Sequence, residues 1–377
     1  MSRKLDSIQS AIEDIKQGKI IIVVDDEDRE NEGDFVVAAE KITPEIINFM
    51  ATEGRGLICT PLTESRCDEL GLELMVNQTN AAFETPFTVS VDLVSKDTTT
   101  GISANDRYLT VMALADESTN PNSLGKPGHI FPLRAREGGV LRRAGHTEAA
   151  IDFSRLAGLK PAGVIVEICN ADGSMARLPE LFEIADKFNL KVVSIEDLIA
   201  YRLENESLIE EEMTVKLPSM YGDFTLHAFR QTTSNTEHLA LVKGSWTPEE
   251  SVLVRVHSGS MVGDIFGSEH YGRGHQLHAA MKHIEEEGKG VVVYINKLRK
   301  GNGLVDELRA FKEKNKSNAV QPELPKKADS KDYGIGAQIL RHLDVSKMKL
   351  LTNNSERKLK GIEGYGLSVT EYVPIKL

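Results

Sequence analysis

Apolar residues in this chain alternate between short runs typical of buried strands and longer runs with helical spacing. The alternation extends from the run at 20–24 to a helical pattern ending near residue 202, and it restarts at residue 224. The acidic segment 203–223 separates the two series, and we interpret it as a linker with a domain boundary near residue 205. The sequence therefore predicts an α/β protein of mixed α+β type with two domains, residues 1–204 and 205–377, each a mixed sheet covered by helices.

The net charge and the spacing of the cysteines indicate which partners the protein can bind and in which cellular compartment it occurs. The 377 residues include 45 basic and 57 acidic side chains, which gives a net charge of −12. Such a surface repels nucleic acid and anionic membranes, so we expect neither as a partner. Cys59, Cys67 and Cys169 form no CxxC pair, which is typical of a reducing compartment, and we expect a cytoplasmic protein. The N-terminus lacks the apolar core of a signal peptide, and the longest aliphatic run, 20–24, is too short to span a bilayer.

Seven carboxylates fall within the ten residues 25–34, DDEDRENEGD, directly after a strand-like run. Sites in α/β folds are built at the ends of central strands. Carboxylate oxygens suit Mg²⁺ or Mn²⁺, and mutual repulsion raises carboxyl pKa values towards the range useful for acid–base catalysis. The alternative is a solvated acidic turn. The embedded Arg29 and Gly33 favour a functional site.

A second motif, RRAGHT at 142–147, leads into a helical pattern. Two arginines, a glycine and a threonine at a helix start can bind phosphate through guanidinium groups, free backbone N–H groups and the helix dipole. His146 adds a base or a metal ligand in the same turn. An ordinary capped helix with a surface histidine is the alternative that this motif alone leaves open.

Two further residues stand out. His129 lies in the non-periodic segment 125–139, GKPGHIFPLRAREGG, which we interpret as a loop; loops of this kind often carry function, although a single histidine is more often structural. Glu167 interrupts the apolar strand GVIVEIC, where a carboxylate needs a partner or a position at a strand end facing a site. Together with the two motifs, these residues indicate a divalent metal and proton transfer on a small phosphorylated molecule.

Four segments resemble 3,4-dihydroxy-2-butanone 4-phosphate synthase, an enzyme of riboflavin biosynthesis. They read DDEDRENEGDFVVAAE, TTTGISANDR, GHIFPLRAREGGVLRRAGHTEAAIDFSRLAGL and GVIVEI, and they are collinear over roughly residues 3–202. The resemblance implies conversion of ribulose 5-phosphate to 3,4-dihydroxy-2-butanone 4-phosphate and formate. It also implies Mg²⁺ or Mn²⁺, with two ions per site, and a homodimer that forms through the first domain, with the site at its interface.

The resemblance also implies individual roles. The metal ligands would be Glu30 and His146, and the residues essential for turnover would be His129 and Glu167. The substrate and its phosphate would be bound by Arg29, Glu30, Asp34, Arg143, Ala144, Gly145, His146, Thr147 and Glu167.

Residues 208–377 resemble GTP cyclohydrolase II through segments such as RVHS, GDIFGS, DYGIGAQIL and GIEGYGL. The active-site positions depart from that family. Its three zinc-binding cysteines are replaced by Ser260, Tyr271 and Arg273, and no cysteine follows Cys169. Further family positions read Leu298, Arg299, Lys300, Phe311 and Lys331, the last near a retained Asp329. A catalytic zinc needs three good protein ligands, so we expect no zinc and no GTP ring opening in this domain.

Two alternatives stay open for the second domain. In the first, the domain hydrolyses GTP as part of a bifunctional enzyme, with metal ligands rebuilt from His257, His270, His275 or His278. In the second, it is a binding module for a nucleotide or a partner protein. Arg255, Gln276 and Thr352 are retained and leave room for nucleotide binding.

Overall fold

The computed structural model describes residues 4–27, 29–76, 85–204, 206–234, 236–267, 273–296, 333–353 and 362–376. The chain divides into two compact units, Met1–Glu204 and Asn205–Leu377. Each unit contains one mixed sheet with flanking helices, so the predicted fold class is confirmed.

The sheet of the first unit has seven strands within the described residues, in the order β4-β5-β3-β6-β2-β1-β7. Strands β1 and β7 are parallel, as are β3 and β5, whereas the other neighbours are antiparallel. The strands are β1 Ile21–Val24, β2 Gly33–Ala38, β3 Cys59–Thr63, β4 Val91–Leu93, β5 Leu124–Ala135, β6 Gly163–Glu167 and β7 Lys191–Ser194. The helices are α1 Ile8–Lys16, α2 Pro44–Phe49, α3 Glu64–Glu69, α4 Ala104–Ala115, α5 His146–Leu156, α6 Leu178–Phe188 and α7 Ile195–Leu203, with short helical turns at Ala39–Lys41, Met50–Gly54, Pro121–Ser123 and Gly139–Leu141.

The central strands are buried on both faces. All four residues of β1 and all six of β2 are buried, which explains their continuous rather than alternating apolar pattern. Helix α5 is also unusual, because every residue from His146 to Ser154 is buried. Its polar side chains therefore depend on protein partners rather than on water.

The segment containing His129 is a strand and not a loop, so that expectation was wrong. Residues 124–135 form β5, which pairs with β3 along one edge and β4 along the other. Two prolines and two glycines within the strand hid its pattern in the sequence. A cis peptide bond joins Lys126 to Pro127.

The second unit also has seven strands within the described residues, in the order β14-β13-β11-β12-β10-β9-β8. They are β8 Ile209–Ser219, β9 Gly222–Gln231, β10 Glu237–Lys243, β11 Ser251–Ser258, β12 Gly290–Ile295, β13 Lys347–Leu351 and β14 Ser368–Val373. The helices are α8 Met261–Asp264, α9 Arg273–Glu287 and α10 Tyr333–His342, with a 3-10 turn at Glu363–Tyr365. Buried side chains of β9, α9, β12 and β13 form its core, including Phe224, Ile284, Val292 and Leu351.

Most of the acidic segment interpreted as a linker is β8, so this part of the interpretation was also wrong. Residues 210–216 are exposed, yet they pair with β9 along the edge of the sheet. The register shifts between Glu211 and Met213, and a bulge, charged side chains and Pro218 together protect such an edge from pairing with another chain.

In the described ranges, no helix combines the length and apolar composition needed to cross a bilayer.

Candidate active site

Three neighbouring strands bring the acidic run and Glu167 to one edge of the first sheet. Asp25 follows the last residue of β1, and Asp34 is the second residue of β2. In the antiparallel register, Asp34 lies opposite Val23 of β1 on one side and opposite Glu167 of β6 on the other. Carboxylates far apart in sequence therefore meet at a single place.

The loop after β1 is organised around the carboxylate of Asp25, whose side chain is 1% exposed. Its Oδ1 accepts a hydrogen bond from the amide of Glu32 at 2.8 Å, and its Oδ2 accepts one from the amide of Glu30 at 3.1 Å. Arg29 donates to the same Oδ2 at 2.7 Å and also to Glu30 Oε2 at 2.8 Å. The acidic run is thus a folded loop that presents Glu30 inward rather than a solvated turn.

Asp25, Glu30 and His146 converge, because one ligand atom from each lies within 4.8 Å of the others. His146 Nε2 lies 3.1 Å from the carbonyl oxygen of Val23 and must donate to it, since a carbonyl oxygen can only accept. The other nitrogen, Nδ1, faces Glu30 Oε2 at 3.9 Å. The hydrogen bond from Nε2 to the Val23 carbonyl orients the ring in the way that metal-binding histidines are usually oriented, and it leaves Nδ1 facing Glu30.

The ionisation of these groups reflects burial and mutual charge. Burial opposes the charged form of Glu30, but His146 and Arg29 outweigh it and lower the pKa of Glu30 to about 2. Burial likewise opposes a charged His146, but Asp34 and Glu30 raise the pKa of His146 to about 9. The pKa of Asp34 is raised to about 7, mainly by burial, with Glu167 and Glu30 adding to the effect.

The donor set fits a divalent cation. It consists of two carboxylates and one imidazole nitrogen, within a cluster whose negative charge raises the pKa of His146 and adds to the effect of burial on the pKa of Asp34. Asp34 Oδ1 is buried and has no hydrogen-bond partner among the described residues. A buried carboxylate oxygen in that state is stabilised by a proton or by a nearby cation.

The turn before α5 lies beside this cluster. Helix α5 begins at His146 with Gly145 as its N-cap, so the first amides of the helix have no acceptor within it. The Arg143 side chain is 10% exposed and donates to Glu148 Oε2 at 2.7 Å. Glu148 Oε1 accepts from the amide of Arg136 at 3.0 Å. The turn therefore combines helix amides with a fixed guanidinium.

Glu167 is held at the end of β6 by the amide of Leu57, which donates to its Oε2 at 2.8 Å. A side chain at Gly56 would come within 2.5 Å of the same oxygen, so the glycine allows this close approach. His129 lies elsewhere: its amide donates to Asp92 Oδ1 at 2.8 Å, and its Nδ1 lies 2.7 Å from Asp92 Oδ2. The His129 ring is 44% exposed and makes no hydrogen bond to the Glu30–His146 cluster.

Comparison with known proteins accounts for both halves of the chain. Residues 9–201 match the family model of 3,4-dihydroxy-2-butanone 4-phosphate synthase, and residues 210–374 match that of GTP cyclohydrolase II. The riboflavin biosynthesis protein RibBA of Cytophaga hutchinsonii is 58% identical over 99% of this chain and 93% of its own length. The RibBA protein of Bacillus mycoides is 51% identical over 98% of this chain and 93% of its own length.

The chain belongs to the RibBA family of riboflavin biosynthesis proteins.

Solved structures agree with this assignment. RibBX, a two-domain 3,4-dihydroxy-2-butanone 4-phosphate synthase from A. baumannii, is 39% identical, covers 97% of this chain and 99% of its own, and has a TM-score of 0.65. A 3,4-dihydroxy-2-butanone 4-phosphate synthase in complex with two magnesium ions is 42% identical over 53% of this chain and 98% of its own, with a TM-score of 0.52. The protein is therefore an enzyme of riboflavin biosynthesis, with a synthase domain followed by a GTP cyclohydrolase II domain.

In the cyclohydrolase domain, the loop after β11 pairs its own polar groups. The amide of Ser260 donates to Asp264 Oδ2 at 2.8 Å, and its hydroxyl accepts from the amide of Gly263 at 3.1 Å. Asp264 also binds His257 Nε2 and the Tyr294 hydroxyl, both at 2.9 Å. Within the described part of this domain, no three acidic, histidine or cysteine side chains bring ligand atoms close enough for one ion.

The other positions in this domain are only partly described. Arg255 donates to Gln276 at 3.1 Å and to the carbonyl oxygen of Leu351 at 3.0 Å, and the amide of Thr352 donates to Val373. The His278 ring stacks on Tyr221 with ring centres 4.4 Å apart. Outside the described residues lie His270, Tyr271, Leu298, Arg299, Lys300, Phe311, Asp329, Lys331 and the side chain of Arg273.

Three residues of the synthase domain have roles that the sequence did not reveal individually. Asp25 was one carboxylate among seven, and nothing in the run marks it as the anchor of the loop. Asp92 is 37 residues from His129, and its place in the alternating segment FTVSVDLV resembled an ordinary outward-facing position. Glu148 is three residues after the N-cap, where a glutamate is common for capping alone.

Proposed function

We propose that Glu30 and His146 bind the divalent metal, Mg²⁺ or Mn²⁺ with two ions per site, and that Asp25 lies close enough to assist them. The convergence of the three side chains within 4.8 Å, with His146 Nδ1 directed at Glu30, carries this proposal. A divalent ion held there would act as a Lewis acid on ribulose 5-phosphate and would lower the barrier to enediol formation.

The test is the pair of variants Glu30→Gln and Glu27→Gln. Both remove one carboxylate from the same run, but Glu27 is exposed whereas Glu30 is in the cluster. We expect Glu30→Gln to lower formate release from ribulose 5-phosphate by at least about 100-fold, because a metal ligand is lost, and Glu27→Gln to leave it unchanged. Equal rates for both variants contradict the metal assignment.

The turn at 143–147 is the proposed site for the substrate phosphate. Arg143 supplies a guanidinium, Ala144 and Gly145 add no bulky side chain to the turn, and Thr147 adds a hydroxyl at the start of α5. The buried N-terminus of α5 also favours an anion through its free amides and dipole. Arg29, fixed between Asp25 and Glu30, faces the sugar from the acidic loop.

Asp34 is assigned to substrate binding, and Glu167 is assigned to substrate binding and proton transfer at the sugar. Glu167 Oε2 is occupied by the amide of Leu57, so Oε1 is the oxygen that accepts a proton from the substrate. Asp34 lies opposite Glu167 in the sheet register and is close enough to raise the local negative charge. With its pKa raised to about 7, the Asp34 carboxyl can therefore hold a proton at a pH where isolated carboxylates hold none.

His129 acts, in our proposal, in the site of a second subunit. Its hydrogen bonds go to Asp92 and not to the Glu30–His146 cluster, and its ring is 44% exposed. The resemblance to the synthase family, which places its site at a dimer interface, supports a homodimer through the first domain.

Mixing two inactive variants, His129→Ala and Glu30→Gln, tests this arrangement. If each site takes His129 from the partner, a mixed dimer has one site with both defects and one intact site. If each site takes His129 from its own chain, both sites of a mixed dimer carry one defect. Random exchange then restores about a quarter of wild-type formate release, whereas a site contained within one chain restores none.

The cytoplasm is the proposed location. All three cysteines are free thiols, and burial raises the pKa of Cys67 to about 12, so that this thiol is unreactive at neutral pH. Free buried thiols of this kind are typical of proteins in reducing compartments.

The second domain, in our proposal, has no catalytic zinc and does not open the GTP ring. Serine, tyrosine and arginine side chains are not adequate ligands for a catalytic zinc, and Ser260 and Asp264 in the described part of the loop are engaged in internal hydrogen bonds. The similarity to RibBX, a two-domain synthase, supports a single activity. The competing function, a bifunctional enzyme, is favoured by the 51–58% identity to RibBA proteins over both domains. Release of formate from GTP distinguishes the two, and calorimetry with GTP tests a nucleotide-binding role.

A further inference from the structure

Glu148 is a fully buried carboxylate beneath the turn at 143–147. Its side chain is 0% exposed. Both oxygens are used: Oε2 accepts from Arg143 Nη1 at 2.7 Å, and Oε1 accepts from the amide of Arg136 at 3.0 Å. A buried carboxylate is costly without such partners, so its position is tightly determined.

The Arg143 guanidinium lies across a place where only glycine fits. A Cβ atom at Gly145 would overlap Arg143 Nη1 and would come 3.0 Å from Glu148 Oε2. The guanidinium is therefore fixed by a carboxylate on one side and by the bare backbone of the turn below it.

Charges around the turn would move Arg143 if Glu148 were neutral. Glu30 is close enough for the Arg143 charge to contribute to lowering its pKa, and it carries a negative charge at neutral pH. Without the bond to Glu148, the negative charge of Glu30 still attracts Arg143. A guanidinium drawn there leaves the start of α5 and adds positive charge to the metal cluster.

We propose that Glu148 is a positioning residue that holds the Arg143 guanidinium over the start of α5, where it binds the substrate phosphate. This inference rests on the proposed function of the turn. It predicts a loss of affinity for phosphate rather than a loss of the chemical step.

A double-mutant cycle between Glu148 and Arg143 tests the inference in the full-length protein. Glu148→Gln keeps the size of the side chain but offers one acceptor oxygen to two donors, so one bond is lost. We expect the KM for ribulose 5-phosphate and the inhibition constant of inorganic phosphate to rise together, by about tenfold or more, with a much smaller change in kcat. Arg143→Met raises both constants at least as much, and the double variant is no worse than Arg143→Met alone. The exposed neighbour Glu137→Gln is the matched control and changes neither constant.

Three outcomes overturn the inference. Glu148 does not act through Arg143 if both constants are unchanged in Glu148→Gln. The same conclusion follows if the double variant raises the constants beyond Arg143→Met by the full effect of Glu148→Gln. Unchanged constants in Arg143→Met refute the phosphate assignment itself, and with it the inference. If Glu148→Gln does not fold, Gly145→Ala displaces the guanidinium without replacing Glu148, and it must raise the same two constants.

Discussion

Replacing Gly101 with alanine should damage the enzyme through His129, which it does not replace. Gly101 has a φ of +91°, and a Cβ there would overlap Asp92 Oδ2, come 2.5 Å from Asp92 Cγ and come 2.7 Å from His129 Nδ1. The new methyl group cannot coexist with the Asp92–His129 pair as it stands. Either the carboxylate leaves the imidazole or the loop moves.

The size of the effect follows from two contributions. Alanine at a positive φ costs about 1–2 kcal/mol of stability wherever it occurs. Loss of the bond between the carboxylate and the imidazole removes about 1.5–3 kcal/mol of orientation energy from His129, which corresponds to a fall in kcat of about 10- to 100-fold. The first contribution lowers thermal stability, and the second contribution lowers turnover.

Gly173→Ala is the matched control, because Gly173 has a φ of +86° but no atom within 4 Å of the added Cβ. It shares the backbone strain of Gly101→Ala without the collision. Formate release under saturating ribulose 5-phosphate gives kcat, and thermal unfolding gives stability. We expect both variants to lose the stability that the backbone strain costs, Gly101→Ala to lose more because of the collision, and only Gly101→Ala to lose turnover. Equal turnover in the two variants refutes the role of the Asp92–His129 pair.

Two further predictions concern acid stability and metal removal. The Thr214, His227 and His342 side chains hydrogen-bond to Glu211 and, against the opposing effect of partial burial, lower its pKa from 4.5 to about 2. The stability from Glu211 is thus complete above its unfolded pKa, and it is lost as pH falls from about 4.5 to about 2. Urea unfolding should show a gap in unfolding free energy between wild type and Glu211→Gln at about pH 5 that closes as pH falls through this window, and a gap of the same size at about pH 5 and about pH 2 contradicts it. Chelation should abolish formate release from ribulose 5-phosphate, and added Mg²⁺ or Mn²⁺ should restore it; activity that survives complete chelation contradicts a metal-dependent site.

The sequence predicted the buried strands well because they are apolar throughout. The runs at Ile21–Val24 and Gly290–Ile295 need no partner information to be assigned as strands. By contrast, β8 is exposed over 210–216, and its hydrogen bonds to β9 rather than apolar burial make it a strand. An acidic edge strand and an acidic linker have the same composition, so only the pairing distinguishes them.

The sequence allowed us to predict which types of residue form the site, but it allowed us to predict fewer of the contacts between them. The acidic loop after a strand and the basic turn with His146 before a helix were recognisable as patterns, whereas Glu30 was singled out among seven carboxylates only through the resemblance to the synthase family. The convergence of Glu30 and His146 depends on the β1–β2–β6 register and on the Val23 carbonyl, which no local pattern encodes. The roles of Asp92 and Glu148 likewise arise only from packing, because each acts on a residue whose own function is the visible one.

Formate release from two substrates by one preparation tests the central claim most directly. Full-length protein is supplied with Mg²⁺ and ribulose 5-phosphate, or with Zn²⁺ and GTP, beside Glu30→Gln under the same conditions. We expect formate from ribulose 5-phosphate in the wild type, a loss of at least about 100-fold in Glu30→Gln, and no formate from GTP. Formate from GTP, or a Glu30→Gln variant as active as the wild type on ribulose 5-phosphate, would contradict the central claim.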